Sequence, residues 1–147
     1  MKNLGTKVLL LLPLLLGCGD KTGTDSLRLT AVESESEITI SIVNDSDVDF
    51  TLEDPTYAVT PSQTYGLDAN IINEAGTRVA VCAMVEPPNT TQKNIVVLDP
   101  ARSIDQKIAV GTIKRRYCLG PGAYEISFVL RQPKRSYESN TLILAID

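Results

Sequence analysis

The chain contains no histidine and no tryptophan, and aromatic residues make up only 5% of its 147 residues. Without an imidazole, every mechanism that needs a histidine base, a histidine metal ligand or a histidine pH switch is excluded, because no other unperturbed side chain titrates near neutrality. A serine or cysteine nucleophile would likewise lack its usual activating partner. Neither S-x-x-K nor G-x-S-x-G occurs, and Gly120-Pro121-Gly122 is a poor phosphate loop because its proline lacks an amide. The sequence therefore reads as that of a non-enzyme with no cofactor and no resident metal. Basic residues are also scarce, 14 against 18 acidic ones. An acidic chain of this kind is a poor partner for nucleic acid.

What is present begins with an address. Lys2 and Lys7 form a positive start, and Val8 to Leu16 is an apolar run of nine residues broken only by Pro13. At ~1.5 Å per helical residue this run is too short for a hydrocarbon core of roughly 30 Å, so it reads as an export segment over residues 1–17. It ends in Leu15-Leu16-Gly17-Cys18. Here the chain resembles bacterial lipoproteins, whose lipobox places a leucine three residues before the cut, a small residue just before it and a cysteine just after. The resemblance covers the export segment alone and implies that Cys18 becomes the first residue of the mature chain and carries fatty chains. One acyl chain binds a bilayer marginally, whereas two or three anchor it stably at ~0.8 kcal/mol per buried CH₂. Gly19, rather than an aspartate, follows Cys18, which in that family favours the outer membrane.

The mature chain would run from Cys18 to Asp147 with 12 basic and 18 acidic residues, a net charge of −6. Gly19 to Ser26 holds no large apolar residue and reads, with Cys18, as a tether over residues 18–26; its coil dimension is ~15 Å. With Cys18 acylated, Cys82 and Cys118 remain as a pair in a chain expected to leave the cytoplasm, where disulfides persist. A Cys82–Cys118 bridge is expected.

The remaining residues, 27–147, alternate in hydropathy with period two. Ile38, Ile40 and Ile42, then Val48, Phe50 and Leu52 after Asn44-Asp45-Ser46-Asp47, read as a hairpin. Leu67, Ala69 and Ile71 read as a strand, followed by a turn at Asn73 to Gly76 and a further strand from Thr77 to Met84. Later strands are expected at Ile95 to Leu98, at Gln106 to Thr112, in a short stretch ending at Cys118, from Tyr124 to Leu130, and at Leu142 to Ile146. No window of twelve residues keeps a helical stripe. The expected architecture is a single all-β domain, an antiparallel sandwich of two packed sheets with eight or nine strands.

Two short patterns, Val43 to Phe50 and Leu119-Gly120-Pro121-Gly122-Ala123-Tyr124, resemble bacterial immunoglobulin-like domains. The resemblance implies that fold and a corner role for Tyr124, whose hydroxyl would bond to nearby backbone. It carries little about activity, because sandwiches host many functions.

Among polar groupings, Asp45-x-Asp47-x-Asp49 has calcium-loop spacing but lacks the glycine at the sixth position and the distal glutamate, so it reads as a solvated turn. Residues 18–77 carry 2 basic and 12 acidic side chains, and residues 78–147 carry 10 and 6. Lys114, Arg115, Arg116, Lys134 and Arg135 would form a basic patch if strand pairing brought them together, to meet lipopolysaccharide phosphates, anionic lipid or an acidic protein. The reading that results is a membrane-anchored envelope lipoprotein, held by acyl chains in the bilayer, whose domain binds or assembles with an envelope protein in the periplasm or at the cell surface. Two other readings stand beside it: an inhibitor or immunity protein that plugs an enzyme, with Glu86 to Lys93 and Arg131 to Tyr137 as wedges, and a carboxylate-dependent hydrolase of envelope polymers.

Overall fold

The structure is a computed structural model, and it describes residues 26–55, 66–82 and 94–147. The export segment, Cys18, the tether as far as Asp25, Met84 and the loop Glu86 to Lys93 lie outside the described residues. Within them the chain forms β1 (Leu27–Ser34), β2 (Glu37–Asn44), β3 (Phe50–Glu53), β4 (Gly66–Asn73), β5 (Ile95–Leu98), β6 (Ser103–Ala109), α1 (Val110–Tyr117), β7 (Gly122–Arg131), β8 (Ser136–Glu138) and β9 (Leu142–Ile146).

The strands follow from the alternation. On β2, Ile38, Ile40 and Ile42 are fully buried and the residues between them are half-exposed. On β7, Ile126, Phe128 and Leu130 are fully buried, with Ser127 between the first two buried as well, and on β4 Leu67, Ala69 and Ile71 are buried with half-exposed residues between them. A side chain that alternates across a strand commits one face to the core, so these sets oppose one another in one apolar cluster. The two main ladders are antiparallel: β1-β2-β6 on one side, and β4-β7 with both β8 and β9 on the far edge of β7. This is the all-β sandwich expected, with nine strands among the described residues. Tyr124 makes the corner contact, its hydroxyl donating to the Gly120 carbonyl at 3.1 Å.

Three expectations are corrected. Residues 38–52 do not form a hairpin, because β2 pairs with β1 and β6 while β3 pairs with β5 in a short third ladder. The cause is Asn44, whose side chain is fully buried: its amide NH₂ donates to the carbonyls of Val48 and Leu98, and its oxygen accepts from the Ser46 amide and hydroxyl. This side chain sends the chain away from β2 instead of back along it. Second, the strand expected at Gln106 to Thr112 ends at Ala109, and the short strand ending at Cys118 is helix α1. Ile113 and Tyr117, one helical turn apart, are both buried, lysine and arginine fill the last turn, and Cys118 closes it in the left-handed conformation with φ 49°. Third, Thr77 to Cys82 is not a strand; it makes one bridge, Ile72 with Arg78, and then follows the edge of β4 as the Val79 amide donates to the Ile71 carbonyl.

One open side of the sandwich is closed by a side chain. β8 and β9 are two pieces of one edge strand, interrupted where the Ser139 hydroxyl accepts from the Phe128 amide. The interruption turns Asn140 toward β1, where its oxygen accepts from the Ala31 amide at 2.8 Å and its NH₂ donates to the Ala31 carbonyl at 3.0 Å. The exposed edge of β1 is thus partly satisfied, which discourages addition of a foreign strand. Replacing Asn140 by Ala is expected to cost about 1–2 kcal/mol and to speed hydrogen exchange at the Ala31 amide while the Ile40 amide stays protected; native-state exchange measures both.

Candidate functional site

The sandwich has two distinguishable ends, and the start of the domain fixes which is which. The Asp45 amide donates to the Ser26 carbonyl at 2.9 Å, so the residue that joins the tether sits beside the turn after β2. Arg28 holds the same turn through Nε and Nη2 to both Asp45 carboxylate oxygens, at 2.7 and 3.1 Å. The hydrogen bond from Arg28 lowers the Asp45 pKa below its ordinary value, and Asp45 raises that of Arg28. A depressed carboxylate contributes stability above its unfolded pKa and loses it as pH falls through the folded one, so this clasp loosens only in acid. Both groups are exposed, so little stability rides on it. A carboxyl NMR titration is expected to place Asp45 below the usual carboxylate range, and Arg28→Ala to return it there.

At this end lies a groove of about 350 Å³ between the start of β3 and the β7–β8 turn, lined by Asp49, Phe50, Thr51, Lys134, Arg135 and Tyr137 among others. Buried Gln132 builds it: its side-chain oxygen accepts from the Glu53 amide, its NH₂ donates to the carbonyls of Glu53 and Arg131, and its backbone amide donates to the Arg135 carbonyl. The turn is thereby locked to β3. Phe50 and Tyr137 meet edge to face with ring centroids 6.0 Å apart. The Arg135 guanidinium carbon lies 4.8 Å from the centre of the Tyr137 ring, and its Nε donates to the Tyr137 hydroxyl. Stacked this way, Arg135 is oriented beside Lys134, with Asp49 across the groove.

The opposite end holds the β1–β2 turn and α1, joined by the Val110 amide donating to the Ser36 carbonyl. Lys114 Nζ donates to the carbonyl of Asp147 there, at 2.8 Å. Lys114 and Lys134 thus flank opposite ends of ten-residue β7, ~30 Å apart at ~3.3 Å per residue. Arg116 is withdrawn from the surface altogether: its side chain is 4% exposed and lies 3.7 Å from Asp68, which also receives Arg131 at 3.3 Å and the Tyr117 hydroxyl at 3.3 Å. Buried charges persist where they are paired, so this cluster is a structural lock of α1 on the edge of β4. The five basic residues read together from the sequence are therefore split: Lys134 and Arg135 form the groove, Lys114 and Arg115 lie on α1, and Arg116 points inward.

Near that far end, the outer face of the β4-β7-β9 sheet presents one cross-strand row, Ile72 opposite Glu125 opposite Ile143. Ile143 is 63% exposed, and the row borders a shallow groove with Glu74 and Tyr124. Sequence pattern gave no warning of this row, since Ile72, Glu125 and Ile143 are remote from one another along the chain. The Cys82–Cys118 disulfide is present, with Cα atoms 5.9 Å apart, and fastens the segment along the β4 edge to the C-terminus of α1. No protein-family model matches the chain, and no curated protein matches it.

Proposed function

We propose that this protein is a bacterial envelope lipoprotein, anchored by acyl chains on Cys18, whose sandwich docks an envelope protein without catalysing a reaction on it. The ending Leu15-Leu16-Gly17-Cys18 supports the anchor, and Gly19 in place of an aspartate supports the outer membrane as its site. The observation that carries the docking role is the row Ile72–Glu125–Ile143, set toward the end of the domain away from Ser26. Tethered through Ser26 by a short chain, the domain presents its far end to whatever approaches from the aqueous side, and exposed Ile143 with half-buried Ile72 on either side of a carboxylate there fits an apolar segment flanked by lysine or arginine.

Two measurements test this reading. Intact-mass analysis of the purified native protein is expected to show an acylated N-terminus at Cys18, and Cys18→Ser is expected to move the protein into the soluble fraction. A photo-crosslinker at Ile143 is expected to trap a protein partner in cells, and Glu125→Lys to abolish the product while the fold survives. An unacylated N-terminus would remove the anchor, and crosslinks unaffected by Glu125→Lys would remove the docking face.

A further inference from the structure

The groove at the tether end has no role in that docking. The geometry points to a site for an amine-bearing phosphate, specifically the phosphoethanolamine headgroup of the bilayer in which the anchor sits; the bilayer as its source rests on the acyl-anchor reading above.

Three observations carry this. The groove is of mixed charge, with Lys134 and Arg135 on the β7–β8 turn and Asp49 on the approach to β3, and two aromatic rings, Phe50 and Tyr137, between them. A phosphate monoanion suits the ammonium of Lys134 and the remaining N–H donors of Arg135, whereas a primary ammonium suits the Asp49 carboxylate and an aromatic face. A simple anion would leave Asp49 opposing it. The groove is also pre-formed, because Gln132 fixes the turn and stacking on Tyr137 fixes Arg135, so little ordering remains to be done on binding. Lastly, Ser26 bonds to Asp45, four residues before Asp49, so the groove stands at the end that faces the anchor. The eight residues from Cys18 to Asp25 span ~15 Å as a coil and at most ~28 Å extended. Val48 and Pro133, both exposed at this end, would rest against the headgroup layer. A tether of this length turns headgroup capture into an intramolecular event, so a site that is weak for free ligand is filled at the membrane.

The test uses the mature chain carrying Cys18→Ser, which has no acyl anchor, titrated with phosphoethanolamine, inorganic phosphate or ethanolamine while backbone amide shifts are followed. Phosphoethanolamine is expected to shift the amides of Asp49, Lys134, Arg135 and Tyr137 at concentrations at least fivefold below either fragment. Lys134→Ala and Asp49→Asn are each expected to weaken it about fivefold, as loss of one charged contact does. The same chain should sediment with vesicles of phosphatidylcholine and phosphatidylethanolamine more than with phosphatidylcholine alone. Shifts equal to those with inorganic phosphate, binding strengthened by Asp49→Asn, preference for phosphatidylglycerol vesicles, or no shift at the groove would each overturn the site. The anchor is judged separately by the mass of native Cys18, so an unacylated chain whose groove still binds phosphoethanolamine would leave the site standing and remove only the bilayer as its source.

Discussion

Replacing Cys82 and Cys118 together by Ser is expected to lower the unfolding free energy by about 4 kcal/mol on the chain-entropy model. The bridge closes a stretch with a sequence separation of 36, and without it the unfolded chain regains the freedom that the cross-link removes. Two features add to this. The Cys82 amide donates to the Arg116 carbonyl, so the bridge also holds the segment that covers the β4 edge against α1. Tyr117, whose hydroxyl donates to the Ala69 carbonyl at 3.0 Å, depends on the same helix staying in place. Urea titration of oxidised, reduced and double-serine protein measures the loss, with the reduced and serine forms expected to agree. Because a typical domain has only about 5–15 kcal/mol to lose, the reduced form should be marginal. A loss below about 1 kcal/mol would mean that the segment stays docked without its covalent link.

Asn44→Ala is expected to cost about 3 kcal/mol, nearly as much, although it removes no apolar surface of consequence. Its side chain satisfies the carbonyls of Leu98 and Val48, the first within a buried environment, and it orders Ser46. A buried carbonyl left without a donor costs about 1–3 kcal/mol; the Leu98 carbonyl loses this one, while the part-buried Val48 carbonyl keeps the Ser46 hydroxyl within reach. Asn44→Asp separates hydrogen bonding from shape: the carboxylate keeps the Ser46 contacts but loses both donors, so it should be at least as damaging as alanine. Thermal and urea unfolding of the two variants decide the matter, and an aspartate variant as stable as the native protein would contradict the assigned roles.

Much of the sandwich is legible in the chain because alternation is a local property. β2, β4, β7 and β9 lie where Ile38 to Ile42, Leu67 to Ile71, Tyr124 to Leu130 and Leu142 to Ile146 place them. What a local pattern does not contain is the choice of partner strand. Val48, Phe50 and Leu52 alternate as a hairpin arm would, yet β3 pairs with β5, since one buried amide redirects the chain. Helix α1 escaped for a different reason: eight residues with two buried apolar anchors are too few to stand out from a broken strand, and its stability comes from Ile113 and Tyr117 packing into the core.

By itself the sequence determined the pairing of Cys82 with Cys118 and the all-β character, because each depends on residue type, spacing or count along the chain. Only the tertiary structure decided which basic residues meet. Arg116 turned inward to Asp68, and Lys114 and Lys134 were carried to opposite ends of β7, while Phe50, Tyr137 and Arg135 came together beside Asp49. The physical reason is that a site is made by contacts between distant segments, and those are fixed by which strands pair and which turns a buried side chain enforces.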